Sequence, residues 1–363
     1  MSPFLPGEFR RILVIKWSAL GDIVIATALF EDIARAFPAA EIHLNTLPAY
    51  AGLFEEDTRF ARVWTVNVRS RANRLGSSLA WLKQARNGHY DLVIDLQRSD
   101  HSRLLLTLWW LSGRAPTVRI GNRGGFPYTH QPAIRRSGSH ALPMMQSVLH
   151  TLGIDTPTTQ PVLRVSPARE QAVTAMRQTH GLADGSYVVL LPGAASAHPL
   201  KRWGVAHYAA LARLLHQSSV EKIVLIGGPD EVEDCAAIAR SGDFVLNLNG
   251  TLALNDIPAL CAGAAAIIGN DTGTAHFASA AGRPLLVLCG PTDPRRVKPL
   301  GQQTVAVQTQ LPCSNCYSKT CRNPEHHACM KRITPEWLAH RAHELMRGEL
   351  TPGQTWREGQ RSF

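Results

Sequence analysis

Four short stretches carry side chains able to bind a phosphate or move a proton, and each follows an apolar run. Residues 16–33 read KWSALGDIVIATALFEDI, where Gly21 permits a tight turn and Asp22 enters the first turn of a helix beginning about there. A carboxylate in that place can accept a proton from an attacking hydroxyl. It is also a common place for a helix cap, the plainer role on position alone. Residues 190–211 read LLPGAASAHPLKRWGVAHYAAL. The small residues of PGAAS let backbone N–H groups approach a phosphate. Lys201, between a strand end and a helix start, is either a phosphate partner or a surface cation, and Trp203 reads as packing. Residues 266–282 read AIIGNDTGTAHFASAAG; the loop through Asp271, Thr272 and Gly273 opens a small-residue helix near Thr274. Such a start attracts anions, although Asp271 or Thr274 would also serve as an ordinary cap, and His276 has the weaker claim to contact. Finally, IGGPDE at 226–231 ends in Glu231, an acid where a ribose diol can be held or where a simple turn can form.

These stretches need strands to end beside them. Apolar runs at 12–15, 42–44, 63–66, 92–94 and 118–120 predict five strands, and runs at 187–191, 223–226, 244–246, 266–268 and 285–288 predict five more. Helical patterns at 23–37, 205–216, 232–240 and 274–281 lie between them. Strand–helix alternation predicts an α/β fold of parallel sheets covered on both faces. At 363 residues the chain suits two Rossmann-like domains facing a cleft, at 1–165 and 166–350, with a polar tail at 351–363 expected to lack structure. The apolar run LLLTLWWL at 104–111 is too short to span a membrane and reads as a buried helix. The start of the chain carries no export signal, which predicts a cytoplasmic protein with reduced cysteines.

The formal net charge of +10 is uneven. Residues 1–165 carry 19 Lys+Arg against 12 Asp+Glu, whereas residues 166–363 carry 19 against 16. Arg69, Arg71 and Arg74 form one cluster and Arg119, Arg123, Arg135 and Arg136 another. This surplus suits an anionic partner such as a phosphorylated glycolipid, an anionic membrane or a nucleic acid, or is simply a solvated surface. The arginines are not interleaved with aromatics and no recognition motif appears, which argues against nucleic acid.

In their order, KWSALGD, PGAAS…KRW, GGPDE and NDTGTAH resemble the motifs of glycosyltransferase family 9, the ADP-heptose:lipopolysaccharide heptosyltransferases, over about residues 10–347. The resemblance implies a GT-B fold, an ADP-heptose donor, an anionic lipopolysaccharide core acceptor and inverting transfer with no cofactor required for catalysis. The lack of a D-x-D triplet agrees with metal-independent chemistry. By the same resemblance Asp22 is the general base and Lys201 contacts the phosphates. Asp271, Thr272, Gly273 and Thr274 form the nucleotide-sugar loop, Glu231 takes the ribose and Ser196 lies near the diphosphate. His276 matches a family histidine on the donor side. Arg119, Arg123, Arg135 and Arg136, flanking the Gly-rich IGNRGG, are the acceptor candidates. Peripheral contact with the cytoplasmic face of the inner membrane follows from such an acceptor. The rival readings are transfer to a protein (autotransporter) acceptor, a GT-B-fold sugar-nucleotide epimerase, and a basic nucleic-acid-binding protein with a cysteine finger.

Cys313, Cys316, Cys321 and Cys329 stand as C-x2-C-x4-C-x7-C, with His326 and His327 between. In a reducing compartment this spacing points to a structural zinc or iron, or to reduced thiols in a tight loop. Within the resemblance, autotransporter heptosyltransferases are said to bind iron through four cysteines. Cys235, Cys261 and Cys289 fall in helix and strand patterns and belong to the core.

Overall fold

Strands that are apolar on both faces must be covered on both faces, and the chain meets this demand in two compact units, Met1–Arg164 and Val165–Phe363. The computed structural model describes residues 8–68, 73–121, 124–133 and 140–350, and the backbone alone of 355–358. The first unit runs β1 (Arg11–Ile15), α1 (Leu20–Ala36), β2 (Glu41–Thr46), β3 (Arg62–Thr65) and α2 (Arg74–Asn87). It continues with β4 (Leu92–Asp95), α3 (Asp100–Leu111), β5 (Val118–Gly121) and α4 (Ala141–Leu149). Its five strands are parallel in the order β3-β2-β1-β4-β5, so the winding direction reverses between β1 and β4. Ile12 of β1 pairs in register with Ile42 and Leu92, which puts the strand carrying the Asp22 turn at the centre.

Aromatic side chains fill both sides of this sheet. Trp81 of α2 meets Trp109 of α3 edge to face at 5.9 Å, and Trp64 of β3 lies 6.0 Å from Trp81. Phe30, Phe54 and Phe60 form a second mutually T-shaped group. Asn45, fully buried on β2, accepts the indole N–H groups of Trp17 and Trp81 at 2.7 Å each and donates to the Trp64 carbonyl. One amide thereby satisfies the polar ends of a largely apolar cluster.

Helix α3 departs from the expectation of full burial. Leu105, Leu106 and Trp109 face the core, but Leu104, Leu108 and Leu111 are exposed, because among the described residues no element covers the outer side of the helix.

The second unit opens with α5 (Pro167–Thr179), β6 (Tyr187–Leu191), α6 (Val205–Gln217), β7 (Lys222–Leu225), α7 (Val232–Ala239) and β8 (Val245–Asn247). Next come α8 (Ile257–Cys261), β9 (Ala266–Asn270), α9 (Gly273–Ser279), β10 (Leu285–Leu288) and α10 (Pro294–Val297). It closes with β11 (Thr304–Thr309), α11 (Ala328–Lys331), α12 (Pro335–Met346) and β12 (Thr355–Glu358). The parallel order β12-β11-β10-β9-β6-β7-β8 reverses between β6 and β9. β11 was hidden from an apolar-run reading because Thr and Gln punctuate TVAVQT, although all six residues are buried. β12 falls within the tail expected to be unstructured and pairs in parallel with β11. No described helix is long and apolar enough to cross a membrane.

Replacing Asn45 by Ala strands two buried indole N–H groups, at roughly 1–3 kcal/mol each. We expect Asn45→Ala to lower the first unit's stability by about 3 kcal/mol in urea unfolding followed by tryptophan fluorescence. A loss under about 1 kcal/mol would mean that the indoles find other partners.

Candidate functional site

In the first unit the critical turn joins β1 to α1 at the carboxyl end of the central strand, where the winding reverses and where ligands of open α/β sheets bind. Its position is set by the equivalent turn after β4. The Gln97 carbonyl oxygen accepts the backbone N–H of Trp17 at 2.6 Å and of Ser18 at 3.0 Å, and its amide donates to the Ser18 hydroxyl. Gln97 is itself anchored, its N–H donating to fully buried Asp95, which also accepts the Tyr128 hydroxyl at 2.6 Å. Burial pushes the Asp95 carboxyl above its ordinary range against the pull of those two donors.

α1 starts at Leu20, two residues before the helix expected from sequence, with Ala19 as its cap. Ala19 offers no side chain, and Asp22 stands third in the helix, so Asp22 is not the cap. Half-buried Asp22 stands on the first turn, next to the positive end of a 17-residue helix.

Arg119 does not stand at the surface. Expected at an acceptor surface, it is buried on β5, where Nε donates to the Pro127 carbonyl at 2.8 Å and Nη1 to those of Pro116 and Thr117. Its guanidinium ties the segment after β5 to the strand and is spent on backbone. Arg123, Arg135 and Arg136 lie outside the described residues, as do Arg69 and Arg71.

In the second unit the expected donor-side residues gather on three adjacent strands. Ser196 and Lys201 follow β6, Glu231 follows β7, and Asp271, Thr272, Gly273, Thr274 and His276 follow β9. Lys201 Nζ donates to the Asp271 carboxylate at 2.7 Å and to its carbonyl at 3.3 Å, so two of these residues form an ion pair. Glu231, buried, accepts the Gly228 N–H at 2.8 Å. A Cβ on Gly193 would fall 2.5 Å from the Glu231 carboxyl carbon, so a larger residue there would force the Glu231 side chain to shift. Thr272 begins α9 without capping it through its side chain, and His276 is buried in that helix.

The residues that fix these loops were missed by sequence reasoning. Fully buried Asn270, ending β9, donates to the carbonyls of Pro192 and Gly193 and accepts from the Trp203 N–H and the Tyr208 hydroxyl. Arg202 donates to the Ala194 carbonyl, Glu231 and Asp234, which joins the loop after β6 to the one after β7. Asn249 holds the Gly228 carbonyl at 2.9 Å. Asn270 and Arg202 stand inside the quoted NDTGTAH and KRW motifs, whereas Asn249 carries no such signal.

Cys313, Cys316, Cys321 and Cys329 are all free and line one cavity of about 600 Å³. Burial, with the other three thiols as neighbours, pushes the Cys329 thiol up to about 11. Four thiols on one cavity have the chemistry of a zinc or iron site. Among the described residues, however, no three metal-ligating side chains converge on one point, so the loop as it stands does not close a coordination sphere. The segment also touches the donor side: an imidazole nitrogen of His327 pairs with the Leu200 carbonyl at 2.8 Å, one residue before Lys201.

Residues 79–327 match the model of glycosyltransferase family 9 (heptosyltransferase). The chain belongs to glycosyltransferase family 9. Its enzyme class is therefore glycosyltransferase. It is 26% identical to lipopolysaccharide heptosyltransferase 1 of Pseudomonas aeruginosa, over 91% of this chain and 96% of that one. A family 9 glycosyl transferase from Veillonella parvula superposes with a TM-score of 0.78 at 20% identity, covering 95% of this chain and 99% of that one. The Escherichia coli heptosyltransferase WaaC with ADP-2-deoxy-2-fluoro heptose gives 0.68 at 23%, covering 92% and 99%. These likenesses establish two parallel-sheet domains of the GT-B kind.

Charge-assisted contacts contribute about 1.5–3 kcal/mol each, so losing the Lys201 cation should weaken ADP binding by at least about tenfold. Calorimetric titration of Lys201→Ala checks this, with circular dichroism showing an intact fold. Unchanged affinity would return Lys201 to the role of a partner for Asp271 alone.

Proposed function

We propose that the protein transfers heptose from ADP-heptose to the core of lipopolysaccharide, inverting the anomeric centre, with Asp22 as general base. The observation that carries the reading is the Lys201–Asp271 pair at the winding reversal of the second unit, with Glu231 on the adjoining strand end. A diphosphate arriving there engages Lys201 and frees the Asp271 carboxylate for sugar hydroxyls. Glu231 then takes the ribose diol, and Ser196 and the N–H groups of Thr272, Gly273 and Thr274 meet phosphate oxygens.

The chemistry follows from charge. The acceptor hydroxyl oxygen bonds to the anomeric carbon as the bond from that carbon to the phosphate oxygen breaks, and ADP leaves with the bonding pair. Asp22 receives the hydroxyl proton, which raises the nucleophile's electron density as the new bond forms. Lys201 neutralises the charge growing on the leaving diphosphate. The relatives' names, which specify lipopolysaccharide heptosyltransfer, support both donor and acceptor. Such an acceptor is membrane-anchored, so the protein works in the cytoplasm against the inner membrane.

The four cysteines hold, in this reading, a structural zinc or iron once the loop closes on its cavity. Cys313, Cys316, Cys321 and Cys329 would be the ligands, and the ion would brace the turn that His327 ties to Leu200. Elemental analysis of protein purified without chelator should find about one ion per chain. Less than about a tenth of an equivalent of zinc and iron together would remove the metal from the account.

A positioned base contributes roughly 10²- to 10⁴-fold, so Asp22→Asn should slow transfer at least about 10²-fold while leaving ADP affinity nearly intact. If that variant keeps more than about a tenth of the wild-type rate, Asp22 is not the base.

A further inference from the structure

Helix α3 has two apolar faces, and among the described residues only one is covered. Leu104, Leu108 and Leu111 recur at i, i+4 and i+7 and stand exposed, Leu111 by 66%. On α2, Leu75 and Leu79 repeat the pattern one turn apart, 82% and 66% exposed. The two helices pack side by side through Trp81 and Trp109 on their inner faces, so both apolar stripes belong to the outer surface of the first unit. Exposed Trp110 and Phe126 meet edge to face at 5.0 Å beside them. Contiguous apolar surface of this kind marks an interaction site.

Charge identifies what it meets. Residues 58–154 contain 14 Lys+Arg against three acids, Asp91, Asp95 and Asp100; of these cations Arg59 and Arg119 are buried, and Arg69, Arg71, Arg123, Arg135 and Arg136 lie outside the described residues. Asp95 is fully buried, Asp91 accepts the backbone N–H groups of Arg10 and Arg11, and Asp100 alone is an exposed acid on α3, at its first residue. Exposed Arg74 and Lys83 stand on α2 among the leucines, and exposed Arg114 follows α3. We infer that the outer faces of α2 and α3 dock the protein on an anionic lipid bilayer. Leucines enter the acyl boundary, Trp110 and Phe126 sit at headgroup level, and the basic side chains face lipid phosphates. A second copy is a poorer occupant, because a two-fold interface would set the same basic rim against itself. The inference rests on the heptosyltransfer reading only in that a membrane-anchored acceptor calls for such a contact.

The test is co-sedimentation of the full chain with phosphatidylcholine vesicles, with and without about a third phosphatidylglycerol, at physiological salt. Wild type should partition onto the anionic vesicles and release them as salt rises. Leu104→Ser with Leu108→Ser, and separately Arg74→Glu with Lys83→Glu, should each lower that partition at least about tenfold with unchanged thermal unfolding. Failure of wild type to bind anionic vesicles, or binding by both folded variants at the wild-type level, overturns the inference. So does a dimer seen by light scattering that the leucine variant dissociates, which would assign the face to a second copy. Vesicle binding is read without any sugar donor, so it stands or falls apart from heptosyl transfer.

Discussion

Parallel strands end abruptly, and at the point where winding reverses two neighbouring loops part in opposite directions and leave backbone groups without a sheet partner. In the second unit the amide of Asn270 answers this at the end of β9. Its two N–H bonds go to the carbonyls of Pro192 and Gly193, and its oxygen takes the Trp203 N–H and the Tyr208 hydroxyl. A neutral amide suits the task because it donates and accepts at once without the desolvation cost of a charge. Gln97 does the same work in the first unit, clamping the turn that leads to Asp22. Both sets of candidate residues thus follow turns that amides hold from the adjacent strand end.

The ion pair of Lys201 and Asp271 is a consequence. Asp271 is only 4% exposed, and a lone carboxylate there would be costly, so its stability depends on the lysine that a phosphate would later compete for. Arg202 stands one residue on and binds Ala194, Glu231 and Asp234, so a single dipeptide supplies one cation to the loop after β9 and another to the loops after β6 and β7. The cysteine segment leans on the same turn through His327 and Leu200, which gives a metal-closed loop a physical route to the position of Lys201.

Much of this was legible in the residues. Ten of the twelve described strands announce themselves as apolar runs, and strand ends offer Asp22, Lys201, Glu231 and Asp271 as candidates whose roles come from the family resemblance. β11 escaped because its polar Thr304, Gln308 and Thr309 are buried and donate to carbonyls outside the strand, which no local pattern reveals. The clamping roles of Asn270 and Gln97 were invisible for a related reason, since the loop partners they hold lie 62 to 80 residues away. α3 misled in the opposite direction: a run apolar all round reads as buried, yet burial depends on whether something lies on each side.

Arg119 shows why a sum of charges cannot locate a binding surface. Its guanidinium is enclosed and bonded to carbonyls, and burial lowers its pKa from the ordinary arginine value. Arg59 is likewise buried, shared between Asp57, Glu31 and the carbonyls of Thr27 and Val162. Such arginines are part of the packing, and their fields are largely cancelled at close range by what they bind. The field that reaches a partner comes from cations at the surface, and it decays over a Debye length of about 8 Å at physiological salt. The basic surplus of the first unit therefore acts where exposed cations stand next to exposed leucines. There the electrostatic and apolar terms favour the same kind of surface, and neither needs to be large alone.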